Sequence, residues 1–146
     1  SFDKDNFIVI SPDEGAMNRC TYYSSVMGID IGMFYKRRNY AKIVNGRNPI
    51  EAHEYLGRDL TGKDIIIVED IVETGHSMNF LLEYLKERKP ASVAICTLFY
   101  KPEKFLHEYK IDYVAMPIGN EFIVGYGLDY NQIGRNLKDI YVLDED

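Results

Sequence analysis

A chain of 146 residues has the size of one domain, and a globule of that length buries roughly 70% of the surface its unfolded form exposes. Hydrophobic residues make up 46% and charged residues 27%, with no Gly, Pro or Ser tract and no repeat at a solenoid period, which excludes disorder and repeat architectures. The 17 Lys and Arg against 23 Asp and Glu leave a net charge of −6, so a general nucleic-acid surface is excluded and any bound phosphate must be held locally.

The start, Ser1 to Asn6, is polar rather than a signal sequence, and no apolar run approaches the ~20 residues of a membrane span. A cytoplasmic protein without a membrane partner is expected. A first buried strand is predicted at Phe7 to Ser11, followed by a helix with Ala16, Cys20, Tyr23 and Met27 on one face. A second strand is predicted at Asp30 to Tyr35. Residues Lys36 to Gly62 then carry Lys-Arg-Arg, turn signals and a possible short strand from Glu51 to Leu56, the pattern of a mobile flap. A third strand, Asp64 to Val68, precedes a helix with Met78, Leu81, Leu82 and Leu85 on one face. Further strands are predicted at Ser92 to Leu98 and Tyr113 to Pro117. The aromatic-rich tail, Asn120 to Asp146, reads as a small irregular subdomain over the sheet edge. Cys20 and Cys96 each sit inside an apolar helix or strand pattern and are expected as buried free thiols.

Alternating strands and helices predict an α/β fold: one domain, residues 1–146, with an open, mostly parallel five-stranded sheet, helices on both faces and a small C-terminal hood at 118–146. Ligands of such sheets bind beyond the carboxyl ends of the strands. Three strand ends qualify: Ser11 to Gly15, Val68 to Ser77, and Leu98 to Lys101.

The second of these is the most informative. Its strand runs into Glu69-Asp70, then Glu73-Thr74-Gly75-His76-Ser77 and at once into an amphipathic helix. Gly75 permits a positive φ that lets successive amides converge, the Thr74 and Ser77 hydroxyls add donors, and the helix contributes its positive end. A phosphate monoester fits there. His76 is expected to offer its amide rather than its ring. Two acids at the strand end are costly to bury unpaired, and they can accept hydrogen bonds from two adjacent sugar hydroxyls. Together the pieces describe a site for ribose 5-phosphate, although the same acids also suit a helix cap and Thr-Gly an ordinary turn.

An apolar strand, Glu-Asp, two residues, an acid, Thr-Gly, one residue and Ser resembles the signature of type I phosphoribosyltransferases, and implies their fold. From Gly62 to Leu143 the resemblance narrows to hypoxanthine-guanine phosphoribosyltransferases through two more motifs. In Cys96-Thr-Leu-Phe-Tyr-Lys101-Pro-Glu-Lys, Lys101 matches the lysine that meets the exocyclic oxygen of a 6-oxopurine. In Asn120-Glu-Phe122-Ile123-Val-Gly125-Tyr-Gly-Leu-Asp129-Tyr, Phe122 and Ile123 match the hood positions that stack on the purine and read its edge. Alone, Phe122 reads equally as core and Lys101 as a surface lysine. Asp129 matches an acid used near magnesium, and Arg135 the pyrophosphate-side arginine.

The first sixty residues instead resemble the second half of ribose-phosphate pyrophosphokinases. The motifs are Ser11-Pro-Asp-Glu-Gly15-Ala-Met-Asn-Arg19, Phe34-Tyr-Lys36-Arg37-Arg38 and Asn48-Pro-Ile-Glu-Ala-His-Glu-Tyr-Leu. Base-salvage enzymes carry Lys-Gly in the first loop, where this chain has Asp13-Glu14-Gly15, and have a helix and hood residues before the first strand. The two-part pattern implies a recombined or designed chain.

The resemblance implies transfer of 5-phosphoribose from phosphoribosyl pyrophosphate to N9 of a 6-oxopurine, with Mg2+ as cofactor and a homodimer or homotetramer. It assigns Glu69 and Asp70 to the ribose, Glu73 through Ser77 to the 5-phosphate, and Glu73 to the purine N7 proton, where the family commonly has aspartate. Asp13, Glu14, Gly15, Lys36, Arg37, Arg38 and Arg135 fall on the pyrophosphate side, with Tyr40 also in the flap. Lys101, Phe122, Ile123 and Asp129 fall at the purine, and Glu69, Asp70 and Asp129 at the metal. A binding module with little catalysis, or a pyrophosphokinase-derived fragment, are the alternatives.

Overall fold

In the computed structural model, residues 3–44, 46 and 50–144 are described. Their order is β1 (Phe7–Ser11), α1 (Met17–Met27), β2 (Asp30–Arg38), β3 (Ile50–Leu56), β4 (Asp64–Val72), α2 (His76–Glu87), β5 (Ser92–Tyr100), β6 (Tyr113–Pro117), β7 (Ile123–Val124) and β8 (Tyr141–Val142). The main sheet runs β3-β2-β1-β4-β5-β6. All its pairs are parallel except β2 with β3, and β7 and β8 form a separate antiparallel pair.

Alternation along the central strands decides where the helices lie. Ile8 and Ile10 of β1 and Ile65 and Ile67 of β4 are buried with Met78, Leu81 and Leu85 of α2. Val9 and Val68 face the opposite way, packed with Ala16 and Cys20 at the start of α1. One helix therefore covers each face, because the period of two along a strand sends neighbouring side chains to opposite sides. Fully burying each such Val, Leu or Ile side chain contributes about 1.5–3 kcal/mol relative to leaving it exposed. The two cysteines are free; Cys20 is buried, its thiol directed at the carbonyls of Ile10 and Val68, and Cys96 is partly buried. Helix α1 ends at Gly28, whose φ of 66° supplies the left-handed turn back into β2.

The sheet differs from the expected one in three respects. It has six strands rather than five: the segment expected as a flap contributes Lys36 to Arg38 to β2, and the possible short strand from Glu51 to Leu56 is there as β3, forming an antiparallel edge ribbon with β2. Only local pairing with β2 accommodates so short a connection, since a parallel partner needs a crossover of a dozen or more residues. The Asn48-Pro49 motif lies outside the described residues. Strands β2, β4 and β5 each run past their predicted ends, so Glu69 and Asp70 lie within β4 rather than after it. Tyr23, expected on the buried face of α1, is 40% exposed; Ala16 and Cys20 make the contact with the sheet. Among the described residues no helix is long and apolar enough to cross a membrane.

Candidate active site

Two adjoining cavities, of about 280 and 440 Å³, open at the carboxyl end of the sheet and share Asp13, Glu69, Asp70, Ile71 and Glu73 as a common wall. The first is closed by Thr74, Gly75, His76 and Ser77, with Lys36 and His53 opposite. The second is closed by Lys101, Phe122, Ile123, Asp129 and Arg135, with Gly15 and Arg19 at its far side.

The turn between β4 and α2 is built to leave donors unspent. Gly75 caps α2 at φ 83°, no side chain among the described residues caps the helix at that position, and the amide of His76 donates weakly to the Thr74 hydroxyl at 3.4 Å. The first turn of α2 thus offers amides and the positive helix end to an anion. The segment after β5 holds the turn from behind: the Tyr109 hydroxyl donates to the Gly75 carbonyl at 2.6 Å, and the amide of Leu106 donates to the Thr74 carbonyl at 3.1 Å. A Cβ on Gly75 would stand 2.5 Å from both the Phe105 ring and the Tyr109 hydroxyl. The ring of His76 is also engaged, its Nδ1 at 2.9 Å from Nε2 of His107.

The acid pair forms the shared wall. Glu69 Oε1 accepts from the Asp70 amide at 2.9 Å, and Asp70 Oδ1 from the Ile71 amide at 2.9 Å. Burial first, and the neighbouring Asp70 carboxyl second, push the Glu69 carboxyl up to about 9. Two carboxylates in a partly buried wall are an oxygen donor set that suits a hard divalent cation. No group of three or more His, Cys, Asp or Glu side chains able to hold a metal is present among the described residues. A magnesium ion binds through one or two carboxylates and fills its octahedron with waters and substrate oxygens, so these acids fit it without a protein cage.

In the second cavity, Lys101 is 1% exposed, so the surface-lysine reading is overturned. Its ammonium donates to Glu73 Oε1 at 2.5 Å and to the Glu121 carbonyl at 2.9 Å. Phe122 is 43% exposed, not core, and meets Tyr130 edge-on at 5.6 Å. Asp129 accepts from Arg135 at 2.8 Å and from the Gln132 amide at 2.7 Å.

The first loop behaves differently. Asp13 Oδ1 accepts from the Ala16 amide at 3.0 Å, capping the short helical turn at Glu14–Ala16 that leads into α1. Glu14, Arg37 and Arg38 line neither cavity, and Arg37 pairs with Glu54 at 3.0 Å. Two polar side chains not assigned from sequence, His53 and Arg19, do line them, and Glu121 stands beside Lys101. His53 lies against Phe80 with centroids 4.3 Å apart, and burial lowers its pKa. Glu121 supplies the carbonyl that receives Lys101. Arg19, in the first turn of α1, reaches Asp70 at 3.4 Å. A cation in the first turn of a helix opposes the dipole, and that was the available signal that Arg19 serves a partner.

The sequence profile of the phosphoribosyl transferase domain matches residues 1–131. The chain belongs to that family. Among curated proteins, this phosphoribosyltransferase domain is 47% identical over 97 residues to a hypoxanthine-guanine phosphoribosyltransferase of Streptococcus pneumoniae, covering 66% of this chain and 54% of that one. It is 39% identical over 106 residues to one of Mycobacterium avium, covering 73% and 52%. The domain thus spans about half the length of the curated relatives it matches. Among solved structures, a hypoxanthine phosphoribosyltransferase of Staphylococcus aureus superposes with a TM-score of 0.76 at 28% identity, covering 98% of this chain and 78% of that one. A hypoxanthine-guanine phosphoribosyltransferase of Bacillus anthracis superposes with a TM-score of 0.75 at 28% identity, covering 98% and 85%.

Proposed function

We propose that the chain transfers 5-phosphoribose from phosphoribosyl pyrophosphate to N9 of hypoxanthine or guanine, releasing pyrophosphate, as a purine-salvage enzyme of the cytoplasm. One observation carries this reading: the acid pair Glu69-Asp70 forms the wall between a phosphate-type cavity and a cavity with a lysine, an exposed aromatic and a further carboxylate. A sugar phosphate bearing a planar base needs that order of groups.

In the reaction the 5-phosphate sits on the α2 turn and the sugar hydroxyls on Glu69 and Asp70. Positive charge develops at carbon 1 as the bond to pyrophosphate breaks, and the N9 lone pair forms the new bond. Pyrophosphate departs with the electron pair, and the N7 proton passes to Glu73. Lys101 holds the exocyclic oxygen and Phe122 with Ile123 the ring. Glu69 and Asp70, with Asp129 in the same cavity, would hold a magnesium ion, which would neutralise charge on the leaving group when bound. Residues 36–62 act as a flap and 118–146 as a hood. The relatives' names support this substrate class.

A second reading, a binder of the phosphoribosyl donor with little turnover, is favoured by the Glu73–Lys101 ion pair, which ties the proton acceptor to the group that would read the base. Base-dependent pyrophosphate release, measured beside calorimetric donor binding with magnesium, separates them. Release supports transfer; donor binding without release for any 6-oxopurine sinks it. Glu73→Gln is expected to lower turnover by about 10²- to 10⁴-fold with donor binding kept. A pyrophosphokinase-derived fragment would instead form AMP from ATP and ribose 5-phosphate.

We also read the chain as two-part, its first sixty residues of ribose-phosphate pyrophosphokinase type. The motifs from Ser11 to Arg19 and from Phe34 to Arg38 are what support this reading. Natural sequences aligning evenly with one family from residue 7 to 146 would refute this. A homodimer or homotetramer is expected by sedimentation.

A further inference from the structure

The first loop carries acids where an anion site needs a cation, yet a cation reaches the same cavity from the helix behind it. Of the three basic side chains lining that cavity, Lys101 is committed to Glu73 at 2.5 Å and Arg135 to Asp129 at 2.8 Å. Arg19 has a looser contact, Nη2 to Asp70 Oδ2 at 3.4 Å, and its Nη1 is buried with no hydrogen-bond partner among the described residues. An unsatisfied buried donor costs about 1–3 kcal/mol, and more on a charged group, a penalty that an acceptor brought to the guanidinium would remove. A guanidinium is also the side chain whose donor fork matches two phosphate oxygens.

The sugar's own connectivity selects the ligand. If Glu69 and Asp70 hold the 2- and 3-hydroxyls and the α2 turn holds the 5-phosphate, the substituent on carbon 1 lies beside the 2-hydroxyl. That is the Arg19 side of Asp70, away from the α2 turn; Arg19 lines the second cavity and not the first. We infer that Arg19 is the cation that receives the departing pyrophosphate, replacing a basic residue in the first loop. This rests on the phosphoribosyl-transfer reading above.

Calorimetry on the full chain with magnesium tests it, using inorganic pyrophosphate and ribose 5-phosphate as separate titrants. For Arg19→Met, pyrophosphate affinity is expected to fall about 30-fold and ribose 5-phosphate affinity to change less than about 3-fold. Arg19→Lys is expected to recover part of the loss, since it keeps the charge without the fork. Equal losses for both titrants would overturn the inference, because Arg19 would then act on the sugar through Asp70; unchanged pyrophosphate affinity in either variant would also overturn it. Should Arg19→Met fail to fold, Arg19→Lys decides alone, with pyrophosphate affinity expected to fall about 5-fold at unchanged ribose 5-phosphate affinity. A wild-type chain that binds pyrophosphate through Arg19 but no ribose 5-phosphate would sink the phosphoribosyl reading and leave the anion role standing.

Discussion

Two strand-to-helix turns lie side by side at the carboxyl end of this sheet, and they satisfy their first amides by different means. The turn from β4 into α2 has a glycine cap in the left-handed region and no side-chain cap among the described residues, so its amides beyond the weakly engaged one of His76 stay available. The turn from β1 into α1 has Asp13 on the Ala16 amide, so a carboxylate already occupies the place an anion would take. Equivalent positions in a parallel sheet therefore need not share chemistry. What decides it is whether the helix start has satisfied its own orphan donors.

The largest test of that contrast is Gly75→Ala. The substitution forces a β-carbon into a backbone with φ 83° and against Phe105 and Tyr109. Binding of a nucleoside 5'-monophosphate is expected to weaken about 100-fold by calorimetry, and retained affinity would show that the turn is not the phosphate cradle.

Next in size is the pH dependence of the wall between the turns. The Glu69 carboxyl is raised from its ordinary 4.5 to about 9, so the metal-free folded chain holds a proton there that the unfolded chain releases. Its stabilising contribution is full below about pH 4.5 and is lost as pH rises through the window up to about 9. The metal-free melting temperature should accordingly fall across that window, and both Glu69→Gln and added magnesium should flatten the slope. A slope indifferent to both would remove Glu69 as its source.

Asp13→Ala probes the other turn. Loss of the cap is expected to cost about 1 kcal/mol in chemical denaturation. Freeing the Ala16 amide and removing a negative charge should also strengthen metal-free pyrophosphate binding, converting the first turn toward the second. The smallest effect is expected for Tyr109→Phe, which removes one hydrogen bond to the Gly75 carbonyl, a loss of about 1 kcal/mol that should appear as weaker 5'-monophosphate binding with little change at the first turn.

What the sequence by itself determined is local in the chain. Runs of Val and Ile mark the central strands, the spacing of Met78, Leu81 and Leu85 marks α2, and the contiguous stretch from Glu69 to Ser77 carries the acid pair and the amide-rich turn, because each of these depends on neighbours a few residues away. Only the tertiary structure decided the rest. The partner of Lys101 is Glu73, 28 residues away, and that of Arg19 is Asp70, 51 away; no periodicity encodes such distances. The strand from Ile50 to Leu56 was legible as a possible short strand, but its antiparallel place at the edge beside β2 was not, since that depends on pairing rather than on its own apolar pattern. Burial of Lys101 likewise follows from β4, β5 and the tail closing around it, an outcome of packing that no residue type announces in advance.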